Sequence, residues 1–158
     1  MILSIALAKL PDIDVVRLIT RTTIKEVYPR YYPEGAVSFF LSHHSIDNIC
    51  DDISRGLVFL CFDSDNTAVG TVTVKNNEIC RLFVLPQHQG KGYGKQLLDF
   101  CEEEISKSFD EIVIDASLSA KGIYLKRGYR ESEYRIITTE NGDLLCYDVM
   151  KKQIKKAE

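Results

Sequence analysis

The chain has 158 residues, 45% of them apolar and 27% charged, with 20 Lys+Arg against 23 Asp+Glu for a net charge of −3. This balance fits one globular domain spanning residues 1–158 and excludes a disordered chain, a collagen-like repeat and a solenoid, while the mild acidity excludes the broad basic field of a nucleic-acid binder. The early apolar stretch Met1 to Ala8 is too short to cross a bilayer and has no basic leader, so the reading is a cytoplasmic protein with no membrane or nucleic-acid partner.

In chain order, Ile2 to Leu7 reads as a first strand, and Pro11-Asp12 starts a helix carrying Ile13, Val16, Thr20, Thr23 and Val27 at helical spacing. The aromatic, proline-broken piece Tyr28 to Pro33 is a loop. Beyond it Val37, Phe40 and Leu41 share one helical face, and Ser45 caps a further helix with Ile46, Ile49, Cys50 and Ile53. From Leu57 the period changes. Leu57 to Phe62, Ala68 to Val74 and Ile79 to Leu85 are short β-branched or aromatic runs joined by the polar turns Asp63 to Asn66 and Asn76-Asn77, which predicts three antiparallel strands ending at Pro86. After Gly94, Leu97, Leu98, Cys101 and Ile105 make one face of an amphipathic helix whose Glu102-Glu103-Glu104 run reads as a solvated face. Ile112 to Ala116 returns as a strand, Ser119 to Lys126 forms a short helix stopped by Gly128, and Tyr129 to Ile137 and Leu144 to Met150 flank the hairpin signal Asn141-Gly142. Residues 151–158 read as a solvated tail. The class is α+β.

The segment richest in chemistry is Gln89-Gly90-Lys91-Gly92-Tyr93-Gly94-Lys95, between an apolar strand and an amphipathic helix. Three glycines at alternate positions let backbone N–H groups turn toward one point, and the positive end of the helix dipole adds to them, making a site for phosphate oxygens. A Walker loop needs four residues between its first glycine and Gly-Lys-Ser/Thr, and here there are three, followed by Gln96. A dinucleotide fingerprint needs glycine where Lys95 stands.

These residues resemble a known family. Gln89-x-x-Gly92-x-Gly94, after Leu82-Phe83-Val84-Leu85-Pro86, is similar to the Q/R-x-x-G-x-G/A acyl-CoA motif of GNAT N-acetyltransferases, and Ala120 to Tyr129 is similar to that family's A-x-x-x-Y-x-x-x-G-F/Y stretch. The resemblance implies a mixed, mostly antiparallel sheet flanked by helices, splayed near Pro86 to admit acetyl-CoA. It implies that Leu82, Phe83 and Val84 hold the pantetheine arm along the strand, and that the amides from Gln89 through Gly90, Lys91, Gly92, Tyr93, Gly94 and Lys95 hold the pyrophosphate. Ser117 stands where the family often has Asn, seven positions before its motif tyrosine.

Transfer of an acyl group from a thioester to an amine needs an uncharged nucleophile, a stabilised oxyanion and a proton for the departing thiolate. Tyr124 stands where the family's general acid often stands, and a phenol is protonated at neutral pH. Glu78 lies 11 residues before Gln89, the spacing at which some members place a catalytic glutamate; His43 and His44 are the competing bases. The five cysteines, Cys50, Cys61, Cys80, Cys101 and Cys146, contain no C-x-x-C and read as buried free thiols, so an acyl-cysteine route is not expected. Tyr28, Tyr31 and Tyr32 fall in the loop that in the family covers the acceptor. The reading is acetyl transfer to a primary amine of a small molecule or peptide in a ternary complex, with a non-catalytic acyl-CoA-binding module as the alternative. The last hairpin offers an edge for a homodimer.

Overall fold

The apolar alternation of the middle of the chain becomes the centre of a seven-stranded sheet in the computed structural model, which describes residues 4–155. The strands are β1 Ser4–Leu7, β2 Val58–Phe62, β3 Ala68–Lys75, β4 Glu78–Val84, β5 Glu111–Ala116, β6 Arg130–Thr138 and β7 Leu144–Gln153, in the order β1-β2-β3-β4-β5-β7-β6. Every neighbouring pair is antiparallel except β4 with β5. Five helices complete the fold: α1 Ile13–Val27, α2 Glu34–His43, α3 Ile46–Ser54, α4 Tyr93–Ser106 and α5 Lys121–Lys126. Ser45 caps α3 as its sequence position predicts, its hydroxyl accepting from the Asn48 N–H at 3.2 Å. Of the first predicted strand, Ile2 and Leu3 lie outside the described residues. No helix among the described residues is long and apolar enough to cross a membrane.

Helices cover both faces of the sheet. On one face Leu97, Leu98, Cys101 and Ile105 of α4 bury against Val72, Ile79, Ile112 and Ile114; on the other, Val16 and Ile19 of α1 and Ile49 of α3 bury against Val58, Leu60 and Phe83. Both clusters stand on burial of apolar side chains at roughly 1.5 to 3 kcal/mol each.

The parallel pair is the weak seam. β4 and β5 are matched only at Glu78↔Val113 and Ile79↔Ile114, so the sheet parts well before Pro86. A bulge accounts for the parting: the β3–β4 register steps from Thr71↔Phe83 to Thr73↔Cys80, which places one extra residue on β4, and Arg81 there takes φ 47. An extra residue bends a strand and raises its twist, here turning β4 away from β5.

Three expectations need correcting. Residues 151–153 are not a solvated tail: β7 runs on beside β5 to Glu111↔Gln153, and Ile154 packs against the α4-side cluster. The Lys-rich pattern hides a strand whose backbone completes the ladder, with Lys151 exposed and Lys152 turned to the side of α4. Only Cys61 and Cys101 are buried; Cys50, Cys80 and Cys146 are partly exposed, and all five are free. Glu102 is not solvated. It pairs with Arg127 from the end of α5 and with Lys152 of β7, and Lys152 also lies 5.5 Å from the centre of the Tyr129 ring. Glu103, beside it, is exposed. Removing the shared anion leaves Lys152 unpaired and Arg127 with Asp99 alone, so Glu102→Gln is expected to lower stability to urea by about 1 to 3 kcal/mol, while Glu103→Gln changes it by less than about 0.5.

The β6–β7 hairpin also packs inward at its turn. The Asp143 carboxylate accepts the Gly35 N–H at 2.8 Å in the first turn of α2, and a Cβ on Gly35 would lie 2.0 Å from Asn141 Oδ1. A side chain at Gly35 would force the Asn141 and Thr139 side chains to move.

Candidate active site

The gap between β4 and β5 opens into a cavity of about 600 Å³, within the range that holds a small-molecule ligand. One end is the glycine loop. Gly92, the N-cap residue of α4, has φ 94 and no side chain with which to cap the helix, so the positive end of the helix is free for an anion. Gly90 also has positive φ (75), and a Cβ there would meet nothing within 4 Å, so the loop is a turn rather than a packing joint. Gln89 fixes the turn by donating from Nε2 to the Val84 carbonyl at 2.9 Å.

Most of the residues singled out from sequence line this cavity: Gly90, Gly92, Gly94 and Lys95 at one end, Leu82, Phe83, Val84 and Gln89 along β4 and beyond it, and Ser117, Tyr124, Tyr28 and Glu78 further in. Others do not. Lys91 is exposed outside the lining, and the Tyr93 ring turns into the α4-side core, leaving these two only their backbone to offer. Tyr31 is exposed and Tyr32 is buried behind the wall. The Tyr32 hydroxyl accepts the Leu118 N–H at 2.8 Å and donates to the Cys146 carbonyl at 3.2 Å, and burial pushes its pKa up to about 12. Tyr32 is a strut between loops. The loop spacing could not separate the three tyrosines, because which of them faces inward is set by the short 3-10 turn Tyr28–Arg30.

Tyr124 is 6% exposed on α5 and reaches the cavity wall. Burial raises its pKa above that of an ordinary phenol, and the neighbouring Tyr28 phenol pushes the same way, so it stays a proton-bearing donor over any working pH. Tyr28 is likewise raised by burial, opposed by the nearby Ser117 hydroxyl. Ser117 in turn shares a 2.9 Å contact with the Ser119 hydroxyl. Glu78 opens β4 at the mouth of the seam, partly buried, its backbone paired with Lys75 and Val113. Cys80 faces the same space, but burial pushes its thiol up to about 12, so it carries little thiolate at neutral pH.

The far end was not legible in the sequence as a site. Phe39 and Phe40 of α2, Asp115 of β5, and Ile137 and Tyr147 of the last hairpin close it. His43 lies parallel to the Phe39 ring at 6.0 Å, and His44 stands edge-on to Phe83 at 5.7 Å. Phe39, Phe40 and His43 share a helix and signal only amphipathicity from sequence, whereas Asp115 and Tyr147 join them only through the β5–β7 pairing.

A glycine turn at the start of α4, a parted β4 and a deep tyrosine thus line one cavity, and the family model described as an acetyltransferase (GNAT) domain matches residues 27–142. The chain belongs to the GNAT acetyltransferase family. GNAT acetyltransferases are acyl-CoA-dependent acyltransferases, and their fold is the one seen here. It is similar to a GCN5-related N-acetyltransferase from Rhodopseudomonas palustris (TM-score 0.86, 22% identity, 98% of this chain and 99% of that one). It is also similar to the PaiA N-acetyltransferase of Thermoplasma acidophilum in complex with coenzyme A (0.72, 23%, 97% and 99%). A third similar structure is a phosphinothricin acetyltransferase of Sinorhizobium meliloti in complex with acetyl-CoA (0.73, 16%, 99% and 91%). No curated protein sequence is a significant match.

Proposed function

We propose that this GNAT protein transfers an acetyl group from acetyl-CoA to a primary amine of a small molecule or peptide, by direct attack in a ternary complex. The observation that carries the reading is a single cavity joining the uncapped start of α4 to Tyr124 and Glu78 and ending among aromatic side chains. Acetyl-CoA, when bound, supplies an acyl group already activated as a thioester.

The protein's own groups do the rest. The amides from Gln89 to Lys95 take the pyrophosphate, and the backbone of Leu82 and Val84, freed from β5 by the bulge, takes the pantetheine arm as an added strand would. Ser117, with a hydroxyl in place of an amide side chain, offers one hydrogen bond beside it. Glu78 removes a proton from the acceptor ammonium, directly or through water, so that the amine can attack. Tyr124 donates a hydrogen bond, and then its proton, toward the departing sulfur. Cys80, held as a thiol, supports direct transfer over an acyl-cysteine.

Tyr124→Phe separates an enzyme from a binding module, because it keeps the ring and removes the donor. The expected result is a kcat lower by roughly 10-fold or more with CoA affinity by calorimetry unchanged. A wild-type rate with chemistry rate-limiting would give the proton to water instead. The function itself is tested by thiol release from acetyl-CoA against polyamines, aminoglycosides, amino acids and peptides; tight CoA binding with no turnover across that panel would favour the module. A homodimer is supported by β6, an edge strand with Tyr134 and Ile136 exposed, and sedimentation equilibrium decides it.

A further inference from the structure

Behind the acceptor end lies a charged cluster the mechanism above does not use. Asp52 of α3 is 3% exposed and Arg81 is 8% exposed, and their side chains pair at 3.0 Å. Arg81 Nη1 donates to Thr73 Oγ1 at 2.9 Å, and Lys75 of β3 reaches the other Asp52 oxygen at 3.2 Å. A buried ion pair is costly to assemble and contributes little net stability against an apolar replacement. Here it also holds a non-glycine residue at positive φ. A third donor, Arg81 Nε–H, points at His44 Nδ1 at 3.4 Å.

That contact fixes the state of His44. A guanidinium has donors and no acceptor, so His44 Nδ1 must present its lone pair, and the neutral ring then carries its one proton on Nε2. Arg81 from β4, His43 from α2 and Lys75 from β3 all oppose a second proton, and burial opposes it most, lowering the pKa to about 3. Asp52, the anion paired within the cluster, is engaged by Arg81 and Lys75, and Glu78 and Asp115 line the same cavity. His44 is therefore not a base. It lines the cavity, and its one N–H is on the ring nitrogen that does not face Arg81.

A donor at the acceptor end cannot serve the attacking nitrogen, whose lone pair must stay free; it needs a different lone pair on the same molecule. We propose that Asp52 and Arg81 hold His44 as an Nε2–H donor to the oxygen of a carbonyl group attached to the carbon that bears the acceptor's amino group, so that α-amino amides, amino acids and peptide N termini are preferred over amines of the same body lacking that carbonyl. This rests on reading the cavity as an acyltransferase site. His44 contacts the acceptor, while Arg81 and Asp52 are positioning residues that act through it.

The test pairs phenylalanine amide with phenethylamine, which share ring and chain and differ in the carbonyl group. The wild-type protein is expected to favour the amide in kcat/KM, expressed per unprotonated amine because the carboxamide makes its ammonium the more acidic of the two, by on the order of 10- to 100-fold, the cost of leaving a site's polar group unpaired. His44→Phe should bring the ratio to within about threefold of one, chiefly through a higher KM for the amide, and His44→Gln, which keeps an N–H donor, should retain a preference. In the wild-type protein, imidazole nitrogen-15 shifts should show an unprotonated Nδ1 and no titration of His44 between pH 8 and 5. In Arg81→Gln its pKa should rise toward the ordinary 6.5.

A wild-type ratio near one, an unchanged ratio in His44→Phe, an equal loss for both amines, or an Nδ1-protonated or titrating His44 would each overturn the proposal. If the variants do not fold, the wild-type ratio and nitrogen shifts decide. Absence of turnover with every amine would remove the acyltransfer reading, and the nitrogen shifts would then judge the His44 assignment alone.

Discussion

Glu78→Gln is expected to lower kcat by a factor on the order of 10² to 10⁴ at neutral pH, the range over which a positioned general base contributes. The substitution is nearly isosteric, and the β4 backbone at this position is held by ladder partners on both sides, Lys75 and Val113, so the fold should persist. What is lost is the carboxylate that removes the ammonium proton. Raising the pH supplies the free amine without help, so the deficit should shrink steadily as the solution approaches the pKa of the acceptor. A mutant equally impaired at every pH would assign Glu78 to positioning, and an unimpaired one would return it to the surface residue that a glutamate beside an Asn-Asn turn commonly is. Activity measured from pH 6.5 to 10 on one confirmed acceptor distinguishes the three.

Gly92→Val acts at the opposite end of the cavity. Gly92 has φ 94, a conformation that a β-branched residue adopts only under strain. The loop must either carry that strain or turn its amides away from the anion. At about 1 to 3 kcal/mol for such a residue, CoA affinity should fall by roughly 10- to 100-fold. The nearest atom to an added Cβ is Gln96 Nε2 at 3.8 Å, so there is no clash with the core and the protein should still fold. Calorimetry with CoA checks it: unchanged affinity in a folded Gly92→Val protein would take the glycine loop out of the site.

How far the sequence led depends on how local each determinant is. The turn at Gly90 to Gly92, the Ser45 cap and the Asn141-Gly142 hairpin are legible because neighbouring residues impose them. Glu102 and the strand through residues 151–153 are not, for the converse reason. Their charged side chains look solvated until β5, α5 and Tyr129 are placed beside them. The largest omission is the bulge at Arg81. Nothing in Glu78 to Val84 announces an interruption, and an arginine inside an apolar strand reads as an outward-facing charge. Its conformation is set by Asp52, which lies on α3, and by Thr73 across the β3–β4 pair. The parting of the sheet, and with it the cavity, thus rests on a long-range contact that pattern reading does not reach.

Gly35 ties the outside of the molecule to the choice of acceptor. Phe39, Phe40 and His43 reach the cavity from α2, and the first turn of that helix is fastened to a surface hairpin through Asp143 and the close approach to Asn141. Lengthening or shortening that turn by a residue would slide or tilt the whole aromatic wall without altering any side chain that meets the amine. Surface turns tolerate insertions well. Acceptor range in proteins built this way can therefore drift by indels in an exterior loop while the acyl-CoA half of the cleft, anchored on α4 and β4, stays fixed, and a designer seeking a new acceptor would vary residues 139–143 before the cavity itself.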